Sequence, residues 1–396
     1  MTDRIDVGLR RAADLDLTAP LPEGDPDLLA RIRDEIRMAG PMTFARFMEL
    51  ALYDPEAGYY SGRAGAQDVR GPGRRGDFLT APESHPIFGW TIARRLEQVW
   101  LALDRPSPFV VREHGAGSGA LALGILGGLR RGGSPLLAAL HYQPVEVAPG
   151  ARADLTAAVD RAGLAAWLER PDDRAAAGAV LANELLDAFP VHRVEGGSAA
   201  GGSAGGLLER YVTLDGAGRL TTELGPPSTP ALAARLASEG IVLEPGQPAE
   251  VCLAIDEWVP EAVRPLERGL MLVIDYGAPA GELYAAARGS TLRAYHRHRV
   301  HGDPLVAVGR QDLTAHVDLT AVERAAVAAG LDPIRRTTQA AYLAELGLGE
   351  LLVALQAGPE ASLESYLAAR SAVARLLDPR ATGGFAVLEL GRGMPT

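Results

Sequence analysis

Residues 109–121 read FVVREHGAGSGAL: an apolar run that ends in an acid and then places glycine at 115, 117 and 119. Few structures accommodate such a stretch. Phe109, Val110 and Val111 suit a buried strand, and the residues after Gly119 suit a helix. Glycines between the two permit a tight turn, and with no Cβ they let the backbone approach a bound nucleotide closely. Strand, glycine turn and helix together point to an α/β, doubly wound fold. Three readings of the turn remain at this point. Gly115, Gly117 and Ala120 satisfy the dinucleotide pattern G-x-G-x-x-G/A. Equally, an acid that closes the first strand, here Glu113, followed by alternate glycines matches the turn of methyl-donor-binding enzymes, where the acid lies near the cofactor's cationic methionine end. The third is a strand-to-helix turn with no ligand.

The second strand adds weight to a nucleoside. YQPVEV (142–147) carries Glu146, 27 residues past Gly119. A carboxylate there can accept hydrogen bonds from both hydroxyls of a ribose. Further strands are expected at 178–183 and 270–275, and FAVLEL (385–390) as the last. Short buried runs alternating with helices predict a mostly parallel sheet. Helices are expected over 26–52, broken near Pro41, over 87–103, over 319–330 and through 340–377. Residues 53–84 are dense in Gly, Pro and Asp and read as a long functional loop. GGSAAGGSAGG (196–206) reads as a hairpin tip between VHRVE and LLERYVTLD.

Composition narrows the chemistry. All 39 basic residues among 396 are arginine, a bias expected of GC-rich bacterial coding, and the lack of lysine excludes a Walker-type P-loop and any Schiff-base lysine. A net charge of −11 argues against a general nucleic-acid binder. No apolar run reaches membrane-span length, and the opening residues lack the apolar core of a signal peptide. With one cysteine, Cys252, there is no internal disulfide, and a cytoplasmic location is expected. His296, His298 and His301 form H-x-H-x-x-H, but arginines separate them and no further ligand stands at obvious spacing, so no metal is expected. A homodimer is compatible with the sequence, which is silent on oligomeric state.

Beyond these readings the chain resembles a specific family. GDFLTAPE (76–83), the 113–119 turn, ANELLDAFPVHRV (182–194), MLVIDYG (271–277) and GRQDLTAHVDL (309–319) occur in this order in the MidA-like S-adenosylmethionine-dependent methyltransferases. The resemblance runs from about residue 30 to 395. It implies a seven-stranded class I methyltransferase sheet with its last strand antiparallel. It also implies an N-terminal helical region (1–105), a core (106–290), a helical, substrate-covering insertion (291–380) and a final core strand (381–396). S-adenosyl-L-methionine is the implied cofactor, held by Asp77, Phe78, Thr80, Glu113, Gly115, Gly117, Gly119, Glu146 and Asn183.

The implied acceptor is a protein arginine. A peptide or small molecule is the alternative, and an NAD-binding oxidoreductase or a non-catalytic assembly factor would be readings from other classes. A guanidinium acceptor needs carboxylates, for which Glu184, Asp187 and Asp318 are candidates. A hydroxyl acceptor needs a base, for which His192 and His316 are candidates. The chain departs from the family at His114, Ser118 and Leu319, and in TLRAYHRHRVHGDP (291–304).

Overall fold

The computed structural model describes residues 21–61, 80–198, 204–296, 299–357 and 362–395. Helix α1 (Pro26–Ala39) starts where the Asp25 carboxylate accepts from the Asp27 and Leu28 amides, and it stops at Gly40. A short strand β1 (Met42–Thr43) leads into α2 (Phe44–Tyr53), capped by Thr43. Residues 62–79 of the expected loop lie outside the described residues, and the end of that stretch forms α3 (Ala81–Ser84), followed by α4 (Ile87–Ala102). The core then alternates β2 (Phe109–His114), α5 (Ala120–Arg131), β3 (Leu140–Val145), α6 (Pro149–Arg161) and β4 (Ala176–Asn183).

Between β4 and the next core strand the chain builds a separate antiparallel sheet. It comprises β5 (His192–Ser198), β6 (Ala204–Leu214), β7 (Leu220–Gly225) and β8 (Pro248–Val251), with α7 (Pro230–Ser238) between the last two in sequence, and β1 joins it by pairing with β6. The expected hairpin is β5–β6, and residues 199–203 at its tip lie outside the described residues. Helix α8 (Ile255–Val263) returns the chain to the core strand β9 (Leu266–Asp275). Then follow β10 (Gly277–Ala278), α9 (Ala280–Leu283), β11 (Arg293–His296), β12 (Arg299–His301), β13 (Asp312–Thr314), β14 (Val317–Asp318) and α10 (Leu319–Ala328). The chain ends with β15 (Asp332–Thr338), α11 (Gln339–Glu345), α12 (Leu348–Ala357), α13 (Leu363–Leu377) and β16 (Ala386–Arg392).

The main sheet runs β15-β16-β9-β4-β2-β3, with β3, β2, β4 and β9 parallel and β16 antiparallel to β9. Successive residues of a strand face opposite sides, and both sides of this sheet are covered. Val180 and Ala182 pack with α1, α2, α8 and α10, while Ala179 and Leu181 pack with α4, α5 and α6. That two-sided burial is why the core strands are continuous apolar runs.

Two expectations change. Among the described residues the main sheet has six strands rather than seven. Beyond β3 there is only a single parallel bridge, Tyr142 to Leu168. The residues after Leu168, ERPDDR, are charged and contain a proline, so they cannot extend a ladder. The tract 291–380 is also not uniformly helical. It holds the three-stranded sheet β12-β11-β13, and β15, at 332–338, pairs with β16 in the main sheet. Strand β15 alternates exposed residues with half-buried ones, including two arginines, which disguises an edge strand as surface. No described helix is long and apolar enough to cross a membrane.

Candidate functional site

Parallel strands end together, so the C-terminal ends of β2, β3, β4 and β9 converge at one edge of the sheet, where ligands bind in open α/β folds. At the end of β2 the chain turns through Gly115, Gly117 and Gly119 with φ of 69°, 50° and 80°, left-handed values that glycine adopts without penalty. Gly119 caps α5, whose free amides face the turn. A Cβ on Gly119 would lie 2.7 Å from Leu155 Cγ, and one on Gly115 would lie 2.8 Å from Leu185 Cδ1. On Gly117 it would meet nothing nearer than Gly115 O at 3.9 Å. Two glycines are therefore required by packing, whereas the third borders open space.

Glu146 closes one side of that space. Its two oxygens accept from Gly117 N and Ala148 N, each at 2.8 Å. The carboxylate thus fixes the turn, and each oxygen keeps a second lone pair for a ribose hydroxyl. Glu113 points from the same strand face as Tyr142, whose hydroxyl donates to Glu113 Oε2 at 2.6 Å. Burial pushes the Glu113 carboxyl up to about 8, against the opposing pull of the Tyr142 hydrogen bond. A buried carboxyl group with a raised proton affinity is stabilised as an anion once a cation comes beside it. These residues fit a nucleoside cofactor with a cationic tail.

GDFLTAPE is described only from Thr80 onward, so Asp77 and Phe78 lie outside the described residues. Thr80 donates through its hydroxyl to Glu83 Oε2 at 3.1 Å, and Ser118 donates to Glu83 Oε1 at 3.1 Å. Glu83 therefore ties α3 to the glycine turn. Sequence reasoning passed over this residue, although its place three after Thr80 is a helix-start signal. Ser118, a departure from the family, supplies the other half of the tie. His114, the other departure in this turn, packs edge-on against Trp258 at 5.4 Å, and burial lowers it to about 4, so it is neutral.

Strand β4 ends at Asn183, and Glu184 follows with φ 50°, left-handed for a residue with a side chain. Such a conformation costs about 1–3 kcal/mol and persists only where surroundings enforce it. Asp275, at the end of β9, does so. Its Oδ2 accepts from the Leu185, Leu186 and Asp187 amides at 3.2, 2.9 and 3.3 Å, and its Oδ1 accepts from Tyr276 N at 2.8 Å. Asp275 is thus the brace of the turn that presents Glu184 and Asp187.

Glu184 Oε1 accepts from Ala81 N at 2.9 Å and from the Asn183 amide at 3.2 Å, which joins α3 to this turn as well. Burial, with Asp187 nearby, pushes Glu184 up to about 8. Burial likewise pushes Asp187 to about 6, although the Tyr276 hydroxyl pulls it down. Asp187 is 7% exposed, and its Oδ1 accepts no hydrogen bond among the described residues.

Among the described residues the remaining candidates make no hydrogen bond or ring contact with Glu184, Asp187 or Asp275. His192 lies on β5 with its Nδ1 2.7 Å from Glu209 Oε1, a pair internal to the antiparallel sheet. Asp318 caps α10 by accepting from Ala321 N at 3.1 Å, and its neighbours are Glu239 and Tyr284. His316 is nearer, edge-on to Tyr276 at 5.2 Å, but Arg288 donates to its Nδ1 at 2.9 Å, and burial lowers it to about 4. His296 is tied to Arg310 O at 2.7 Å, His301 is on β12, and His298 lies outside the described residues.

Comparison with known proteins agrees with this geometry. A family model of S-adenosyl-L-methionine-dependent methyltransferases matches residues 91–337. The mitochondrial protein arginine methyltransferase NDUFAF7 homolog of Drosophila melanogaster is 31% identical over 343 residues, covering 78% of this chain and 71% of that protein. NDUFAF7 of Mus musculus, named in the same way, is 28% identical over 86% of this chain and 79% of its own length. A Burkholderia thailandensis protein solved with S-adenosyl-homocysteine bound superposes with a TM-score of 0.81 at 36% identity, covering 95% of this chain and 96% of that one. The chain therefore belongs to the MidA-like family of S-adenosyl-L-methionine-dependent methyltransferases, whose cofactor is a methyl donor rather than a dinucleotide.

Proposed function

We propose that this enzyme methylates a guanidinium nitrogen of an arginine in a protein. The observation that carries the reading is the carboxyl group cluster at the ends of β4 and β9. Burial raises the proton affinity of Glu184, Asp187 and Asp275, the charge of Asp187 adds to the rise at Glu184 and Asp275, and Asp187 Oδ1 accepts no hydrogen bond among the described residues. Buried carboxyl groups whose proton affinity burial has raised exchange their protons for a cation that reaches them. The names of the Drosophila and mouse relatives support the same acceptor.

The cofactor supplies a methyl group on a sulfonium, so transfer is an in-line displacement needing position more than bond activation. The chain's residues then have three tasks. Glu146 and Glu113 orient the donor, Asp187 offsets the acceptor charge, and Glu184 accepts a proton. The last task is required by balance. As the N–C bond forms and the C–S bond breaks, the guanidinium gains a methyl and must lose one proton to remain a monocation.

The test is transfer of labelled methyl from S-adenosyl-L-methionine into a lysate lacking this protein. Label recovered as methylarginine after acid hydrolysis of a protein band is the expected result. Label confined to small molecules, or to another residue type, overturns the reading.

The neutral state of Glu113 gives a second expectation. Beside the cofactor's cation the carboxyl must ionise, so binding at pH 7 should release roughly one proton, since a group with a pKa near 8 is mostly protonated there. Binding heats at pH 7 should then differ between Tris and phosphate in proportion to the buffers' ionisation enthalpies. The difference should vanish above pH 9 and in Glu113→Gln. Equal heats in the two buffers at pH 7 would refute the assignment.

A further inference from the structure

Asp187 does not stand alone beside its turn. The chain brings a second buried carboxylate and four tyrosines to it from segments far apart in sequence. Ala315 N donates to Asp187 O at 2.9 Å, which sets β13, and Asp312 with it, against the β4 turn. Asp312 is fully buried, and Tyr60 donates its hydroxyl to Asp312 Oδ1 at 2.8 Å. Tyr295 on β11 is the register partner of Asp312. Tyr53, at the end of α2, donates to Ala188 O at 2.9 Å, and its ring stacks on that of Tyr60 at 5.7 Å. Tyr276 is held from the other side, where Val317 N donates to Tyr276 O at 3.0 Å.

Tyr53, Tyr60, Tyr276 and Tyr295 are each half-buried, while Asp187 and Asp312 are buried. Asp187 and Asp312 between them act on every one of the four phenols, and each phenol is held above its usual range first by burial and then by these acids.

We propose that Tyr53, Tyr60, Tyr276 and Tyr295 form a cage over Asp187 and Asp312 that receives the planar cation of the acceptor. The chemistry is that of a guanidinium site. Aromatic faces attract a cation and stack on a flat one, and two carboxylates can each accept from one edge of the guanidinium fork. The unpartnered Asp187 Oδ1 is the atom such a fork would satisfy. The cage also gives the N-terminal helical region a task, since Tyr53 and Tyr60 come from it, and gives one to the segment 291–316, which supplies Tyr295 and Asp312. This proposal rests on the arginine reading but is separable from it.

The experiment uses the full-length protein saturated with S-adenosyl-L-homocysteine and three probes: N-acetyl-L-arginine methylamide, its citrulline analogue and its lysine analogue. Binding is followed by ligand-observed NMR. The arginine probe should bind at least ten times more tightly than the uncharged citrulline probe and more tightly than the lysine probe. Asp312→Asn should weaken arginine binding at least tenfold, with affinity for S-adenosyl-L-homocysteine unchanged. Tyr60→Phe, which keeps the ring, should cost only two- to threefold. Should Asp312→Asn fail to fold, Tyr295→Ala carries the same test, with the same tenfold loss expected. Arginine binding that survives these substitutions overturns the cage while leaving the arginine reading intact. Equal binding of citrulline, preference for lysine or no binding of any probe also overturns it, and methylarginine in the labelling experiment shows separately whether the arginine reading stands.

Discussion

Gly117→Val should raise the dissociation constant for S-adenosyl-L-homocysteine at least about 100-fold, a loss of about 2.7 kcal/mol, while the protein stays folded. The separation of the two effects comes from the turn itself. At Gly117 a Cβ meets only open space, the nearest atom being Gly115 O at 3.9 Å, so nothing in the protein resists the side chain. The cost to folding is the left-handed conformation, φ 50°, which a valine adopts with a penalty of about 1–2 kcal/mol. The space the valine fills lies at the turn that Glu146 holds through Gly117 N, where the cofactor is expected. Gly119→Val is the contrasting control. Its Cβ would sit 2.7 Å from Leu155 Cγ, so it should lower the thermal midpoint by several degrees more than Gly117→Val. Calorimetric binding by folded Gly117→Val within a few-fold of the parent would remove this turn from the cofactor site.

What could be read in the chain beforehand divides along a physical line. Core strands buried on both faces announce themselves as apolar runs, and β2, β4 and β9 were legible for that reason. So was the glycine turn, because glycine is nearly the only residue that tolerates three left-handed positions in five. Strand β15 was not legible, since an edge strand whose half-buried positions hold Arg335 and Thr337 carries no apolar period. The antiparallel sheet of β5 to β8 was visible only as its first hairpin, because its further pairings are non-local.

The site shows the same division. Glu113, Glu146, Glu184 and Asp187 stand at or just beyond strand ends and could be named from pattern and resemblance. Tyr142 and Asp312 could not, and Glu83 showed only the spacing of a helix start. Tyr142 matters because the β2–β3 register puts it on the face of Glu113, and register is not written in either strand alone. Asp312 matters because Ala315 docks on Asp187 across more than 120 residues of chain. Conversely Asp318 and His192 looked chemical in sequence, yet one is a helix cap and the other is bound to Glu209.

Glu184→Gln should lower kcat by roughly 10²- to 10³-fold, within the range that proton-accepting groups contribute, and leave cofactor affinity within twofold. The substitution is nearly isosteric. The glutamine oxygen can still accept from Ala81 N, so the tie between α3 and the β4 turn persists and the loss falls on chemistry. The pH profile separates this role from a merely structural one. Burial, and after it the field of Asp187 and Glu83, holds Glu184 near 8, so at neutral pH most of the free enzyme carries it protonated and unable to accept. The parent's kcat/KM should therefore climb with pH up to about 8, close to tenfold per unit well below that value, because this parameter reports the free enzyme. Glu113 titrates in the same range, but its ionisation governs cofactor binding, so saturating cofactor removes its contribution and leaves that of Glu184. In Glu184→Gln the climb should disappear. A variant that keeps both full kcat and the parental pH profile would transfer the proton-accepting role to Asp187, whose lower value, about 6, would place the rise two units earlier.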